Sequence, residues 1–278
     1  MARRARRSRG SWIVAIVLIG AIAVTIVPLL WLMLVTLQRP RAIITPGWTF
    51  EFSLDNLASV FAPNAVYGTQ VLNSVILVIA ATALCLIISA LAGYSLSQMA
   101  WSRRTVIFIL TLAGLLQVIP PMTLVPGLFA TLTTYGLGGL PALILLNTVF
   151  NLPFAVIMTK FYFDSLPSEL RESASIDGAS EFGIFRRIML PLAAPGIAAV
   201  AIFTAIQVWN EFLFGLVFTT GGTESPITVG IATLIQPQEI KWGGMAAVGT
   251  VTAIPIILLA VVANRQIVAG LTRGAVKG

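Results

Sequence analysis

The chain contains no histidine. That removes the usual general base at neutral pH and the imidazole metal ligand from every reading of its chemistry. Its one cysteine, Cys85, lies inside an apolar run, so no disulfide framework exists. Charge is equally scarce: Asp, Glu, Lys and Arg make up 10% of the 278 residues, against about 25% in a soluble domain. There is no P-loop. The nearest glycine-and-lysine stretch, Gly270 to Gly278, lacks its spacing and the hydroxyl residue after the lysine. The chain therefore offers no metal site, no nucleophile–base arrangement and no ATP site, and it reads as a non-enzyme. An internal repeat and low-complexity segments are also missing.

What is present is apolar. Hydrophobic residues make up 58% of the chain, more than a soluble fold of this length could hide, so its main solvent is lipid. A net charge of +7 would suggest nucleic acid in a soluble protein, but here it belongs to the ends of membrane helices. The expected fold is all-α, an integral membrane protein with six transmembrane helices.

Residues 1–11 form a basic tail with five arginines, and residues 12–37 follow without a charge. That run exceeds the h-region of a signal peptide, about 7–15 residues, and the cleavage-like Ala21-Ile22-Ala23 lies in its middle. It is expected to be a retained first span. Residues 38–70 mix Arg39, Arg41, Glu51 and Asp55 with the aromatics Trp48, Phe50, Phe52, Phe61 and Tyr67, as in an interfacial loop with short helices. Residues 71–265 form the main membrane domain, with spans expected at about 71–97, 105–130, 140–162, 191–218 and 243–264. No charge occurs from Thr105 to Thr159, which is too long for one span, and Gly136 to Pro141 divides it. Pro120 and Pro121 remove two adjacent backbone donors, so the third span must kink or unwind there. Residues 266–278 are a second tail.

Six spans put both termini on one side. If that side is the cytoplasm, fourteen of the 17 Lys and Arg face inward, and only Arg39, Arg41 and Lys241 face outward. The positive-inside rule favours this orientation.

Between the fourth and fifth spans lies a polar island, Pro167 to Pro195. Pro167 suits the first turn of a helix, and Glu169 and Glu172 sit where the helix dipole favours anions. Leu166, Leu170 and Ala174 recur every four residues and make one apolar stripe. Gly178 is placed to end that helix, and Ser180 to cap a second one with Phe182, Phe185 and Met189 on one face. Two short helices joined by a glycine elbow make a knob, although on these grounds alone an ordinary solvated loop is an equal reading.

Glu172-Ser173-Ala174, then Gly178, then Ile188-Met189-Leu190-Pro191 resembles the EAA motif of type-I ABC importer permeases, with Ser173 where the family has alanine. Asp177-Gly178-Ala179, Trp209-Asn210-Glu211-Phe212 and the ending Gly270 to Gly278 are similar to the carbohydrate, MalG-like branch of that family. The resemblance implies the type-I importer transmembrane fold, with a cytoplasmic coupling helix that docks in a cleft of an ATP-hydrolysing subunit. Glu172, Ala174 and Gly178 would sit at that contact, with Arg171, Asp177, Arg186 and Arg187 around it. Lys277 and Gly278 would reach toward the ATPase interface, unless the tail is simply disordered. ATP and Mg would be bound by the partner ATPase.

The implied assembly has a second permease subunit, two ATPase subunits and an extracytoplasmic substrate-binding protein, in the inner membrane of a bacterium. The solute would be a carbohydrate. The rival is a stand-alone secondary carrier or channel, which would need several intramembrane charges. Glu211 is the one ionisable residue inside an expected span, and with Asn210 it is read as part of the translocation path, the alternative being an interfacial carboxylate. Gln117, Asn147 and Asn151 could offer hydrogen bonds to sugar hydroxyls or act as polar glue between helices.

Overall fold

The computed structural model describes residues 5–45, 47, 49–62, 65–219, 223–235 and 240–274, with residues 5–11, 259–260 and 262–274 described in their backbone alone. Among the described residues every regular element is helical. The chain divides into two compact units, one of residues 1–68 with 231–253, the other of residues 69–230 with 254–278.

The first unit holds α1 (Ala5–Thr36), α2 (Pro40–Ile44), α3 (Asp55–Val60) and the beginning of α13 (Trp242–Gly274). The apolar side chains of α1 from Trp12 to Leu34 are largely exposed, as suits a helix surrounded by lipid or by another subunit. The end of α1 leaves carbonyls without helical partners. Asn56 of α3 meets them: its amide donates to the carbonyls of Thr36 at 3.3 Å and Gln38 at 2.7 Å. Gly243 makes room for that amide, which a Cβ there would overlap. Among the described residues between 38 and 66 the regular elements are two short helices, α2 and α3.

The second unit contains α4 (Tyr67–Gln98), α5 (Arg103–Val118), α6 (Pro121–Thr134), α7 (Gly139–Asp164), α10 (Leu190–Trp209), α11 (Leu213–Thr219) and α12 (Ile227–Ala232), α4 and α12 each running a residue or two past its edge. Small residues let its helices approach closely, because apolar burial supplies little drive between helices in lipid and contact must supply the rest. A Cβ on Gly93 of α4 would run into Thr159 of α7, whose hydroxyl donates to the Ser89 carbonyl at 2.8 Å. A Cβ on Gly196 of α10 would enter the Tyr162 ring.

The proline pair acts as expected. α5 and α6 meet at 94° across Ile119 and Pro120, with Pro121 opening the new helix. Gln117 donates to the Phe150 carbonyl at 3.1 Å and so joins α5 to α7, whereas Asn147 and Asn151 donate one turn back within α7, to the Leu143 and Asn147 carbonyls. Among the described residues four helices are long and apolar enough to cross a membrane, or five with the bent pair taken as one. The sixth expected span falls on α13, apolar over its described side chains from Trp242 to Leu258. The fifth, expected over 191–218, is interrupted: α10 stops at Trp209 and α11 begins at Leu213. Between α11 and α13 lies the short α12.

Candidate functional site

The polar island folds as a knob. α8 (Ser168–Ile176) runs to an elbow at Asp177–Ala179, and α9 (Glu181–Ile184) leads through a π turn (Phe185–Met189) into α10. The elbow is a Schellman closure: the Ala179 N–H donates to the Ala174 carbonyl at 3.0 Å and the Gly178 N–H to Ser175 at 3.1 Å. It needs a left-handed residue, and Gly178 supplies it at φ +79°. Ser180 caps α9, its hydroxyl oxygen accepting from the Gly183 N–H at 3.2 Å. Pro191 has no N–H for the Arg187 carbonyl and would crowd it; the wider π turn just before it, closed by Leu190 N–H to the Phe185 carbonyl, relieves that conflict.

The knob is rooted in a core. Ala174 of α8, Ile184 of α9 and Phe185 and Met189 of the π turn are buried with Ala90 and Tyr94 of α4, Phe163 of α7 and Ala193 of α10. Tyr94 packs edge-on to Phe163 at 5.6 Å and tilted against Phe185 at 5.1 Å between ring centroids. Ala174, expected at the docking contact, therefore faces inward, and its small size is a packing requirement. The expected face of Phe182, Phe185 and Met189 divides: the latter two enter the core, while Phe182 stays 63% exposed, its ring tilted against Phe185 at 6.2 Å between centroids. In the apolar stripe of α8, Leu166 and Ala174 meet the core, but Leu170 is exposed.

The charges divide as well. Arg171 turns inward and forms an ion pair with Glu181, which also accepts from the Tyr94 hydroxyl at 3.0 Å. Glu172, Asp177, Arg186 and Arg187 are exposed and make no ion pair among the described residues. Glu172 and Arg171 line a polar recess of about 340 Å³ with Gln98, Asp164 and Ser168. Sequence reasoning missed Ile176, at 87% exposure the most exposed large apolar side chain in the chain's described part. Its position at the end of a polar helix was the available signal.

Asn210 and Glu211 sit where α10 breaks. Asn210 is exposed, and its side chain donates to the Ile206 carbonyl at 2.8 Å. Glu211 caps α11: its carboxylate accepts from the Phe214 and Gly215 N–H groups at 2.6 and 3.0 Å, and its own carbonyl accepts from the Thr228 hydroxyl. Lys277 and Gly278 lie outside the described residues, so the expected ATPase-contacting tail has no structural counterpart here. No cluster of three or more Cys, Asp or Glu suited to a metal occurs among the described residues.

Residues 86–273 match the family model described as binding-protein-dependent transport system inner membrane component. The chain is 33% identical over 270 residues to the trehalose/maltose transport system permease protein MalG of Thermococcus litoralis, covering 95% of this chain and 96% of that one. It is also 33% identical over 273 residues to the arabinooligosaccharides transport system permease protein AraQ of Halalkalibacterium halodurans, covering 96% and 97%. Identity is again 33% with the diacetylchitobiose uptake system permease protein NgcG of Streptomyces coelicolor, over 90% of this chain and 84% of that one. In fold, it is similar to a chain of a bacterial ABC transporter that imports the acidic polysaccharide alginate, with a TM-score of 0.78, 19% identity and coverage of 94% and 97%.

Proposed function

The chain belongs to the family of binding-protein-dependent transport system inner membrane components, the permease subunits of ABC importers, and from that premise we propose that its knob is the contact through which a separate ATPase drives the membrane helices. The solute is a carbohydrate, received from an extracytoplasmic binding protein and passed through a pathway shared with a second permease. ATP and Mg belong to a pair of ATPase subunits. Both termini and the knob lie in the cytoplasm.

The observation that carries this reading is the way the knob's residues divide. Ala174 and Gly178 build it, while Glu172, Ile176, Asp177, Phe182, Arg186 and Arg187 remain outside the core. Ile176 and Phe182 are large apolar groups on an otherwise polar helical knob, as anchors for a partner's pocket are. The exposed carboxylate of Glu172 and guanidinium of Arg187 supply a polar rim with both signs of charge. Carbohydrate as the class of solute is supported by the names of the relatives and by the Trp209-Asn210-Glu211-Phe212 pattern. Asn210 belongs to the translocation path as an exposed amide at the break in α10, and Glu211 belongs there by holding that break open. Lys277 and Gly278 extend toward the ATPase.

A secondary carrier would need intramembrane charges free to bind or move ions. Glu211, the one candidate, already has both carboxylate oxygens on backbone N–H groups.

The test is affinity purification of the tagged chain from its own membranes in mild detergent. An ATP-hydrolysing subunit and a second permease should co-purify, and Ile176→Glu or Glu172→Lys should release the ATPase while leaving the permease pair together. A chain that purifies alone and carries sugar across liposomes without ATP would overturn the reading.

A further inference from the structure

Three segments distant in sequence meet at one carboxylate. Glu181 opens α9 and accepts from the Tyr94 hydroxyl at 3.0 Å and from Arg171 Nε at 3.3 Å, with the Arg171 guanidinium also on its other oxygen. Tyr94 is 3% exposed and lies in the last turn but one of α4, a membrane-spanning helix. Arg171 lies in α8, the first helix of the knob. Both helices of the knob are thus tied to one transmembrane helix through one side chain. The Glu181 carboxylate and Arg171 are partly exposed, so their Coulomb attraction is screened. The phenol is different: Tyr94 is 3% exposed and its hydroxyl donates to Glu181, so loss of that carboxylate strands a largely buried donor.

We infer that Tyr94, Glu181 and Arg171 form a clasp that makes the coupling knob and α4 move as one body. This rests on the knob being the ATPase contact. Arg171 then serves coupling by holding α8 to α9, rather than by reaching the ATPase. Tyr94 and Glu181 become positioning residues for transport, although neither is one of the residues that define the EAA motif. A knob joined to α4 by apolar packing alone could pivot on its core when the ATPase pulls. Hydrogen bonds in a fixed direction, at the edge of that core, remove the pivot. The polar recess beside Arg171 gives an unclasped knob the space to tilt into.

The experiment uses the complex that co-purifies with the tagged chain, with Cys85→Ala and spin labels at Met99→Cys and Ser175→Cys. Electron spin resonance measures the distance between the end of α4 and the knob, before and after trapping with Mg·ATP and vanadate. The parent should give one narrow distribution in both states. Tyr94→Phe keeps the ring packing but removes the hydroxyl, and Glu181→Ala removes the phenol's acceptor together with the ion pair. Each should broaden the trapped distribution, with the ratio of unclasped to clasped conformers rising roughly fivefold to tenfold. The double variant should be no broader than the worse single one, because both act on one junction. Basal ATP hydrolysis should persist while its stimulation by sugar-loaded binding protein falls.

Distributions in both single variants that match the parent, with normal stimulation, overturn the clasp. Additive broadening in the double variant overturns it as well. If the parent stays narrow and both variants broaden, but no ATPase co-purifies, the clasp stands as a structural junction and the docking reading falls instead.

Discussion

Gly178 allows the sharpest test, because its backbone and its surroundings make different demands. Its φ is +79°, where L-residues with a Cβ are strained, yet a Cβ built there meets nothing within 4 Å. Any cost in this chain is therefore local and conformational. An alanine held in the left-handed region costs about 1–2 kcal/mol, while asparagine visits that region more readily. A β-branched valine is a genuine outlier there. The elbow's two hydrogen bonds, at 3.0 and 3.1 Å, remain available to all three substitutions. Folding of the elbow should follow the order Gly, Asn, Ala, Val. For alanine, about 1–2 kcal/mol is roughly a 5- to 30-fold change in the ratio of closed to open elbow. Hydrogen exchange over residues 166–185, read by mass spectrometry on the purified complex, should show that order as loss of protection at Ala179. ATPase retention through purification should follow the same order. The reasoning is refuted if Gly178→Asn loses the ATPase more completely than Gly178→Val, since side-chain size above the elbow would then matter and φ would not.

Three further outcomes follow from packing. Gly196→Leu drives a side chain into Tyr162 and should cost about 1–3 kcal/mol, seen as a lower melting temperature of the complex in detergent. Ala174→Leu, in the buried root of the knob, should cost a similar 1–3 kcal/mol or so, whereas Ser173→Ala at its exposed neighbour should stay within about 0.5 kcal/mol. Glu211→Ala removes the cap of α11 and should cost about 0.5–2 kcal/mol, with Glu211→Asn recovering part of it; equal melting temperatures for the two would show that the carboxylate is not acting as a cap.

Much of this molecule was legible because membranes leave the chain few options. Uncharged runs longer than about 20 residues marked the helices, and no buried strand competes with a helix in lipid. The break at Pro120 and Pro121 was visible because two missing donors cannot be hidden in one span. The break at Asn210 was not. No proline or glycine marks it, and the residue that permits it, Glu211, reads in sequence as a buried charge in search of a role. Its geometry supplies that role, since a carboxylate two positions ahead of Leu213 reaches the free N–H groups of a new helix. The π turn was equally hidden. Periodicity assumes 3.6 residues per turn, and nothing in it marks the single wider turn over Phe185–Met189 that precedes Pro191.

The same contrast explains which residues of the knob can be recognised as a motif. Ala174 is small because Tyr94 and Phe185 pack beside it, and Gly178 is glycine because the elbow is left-handed. Both constraints come from within the chain, so any sequence that builds this knob must meet them. Ile176 answers to no such constraint: nothing in the described residues requires an isoleucine at 87% exposure, whereas Phe182, 63% exposed, still tilts its ring against Phe185. On the proposed docking, what selects Ile176 lies on another protein, and a pattern set by a partner cannot be read from one chain alone. The motif residues mark where the knob is, and the residues left without an internal reason mark what it touches. On this argument Ile176→Ser should leave the chain's own stability within about 0.5 kcal/mol and still weaken retention of the ATPase. Melting of the isolated permease pair beside co-purification of the ATPase separates those effects, and a loss of stability without a loss of retention would return Ile176 to the permease itself.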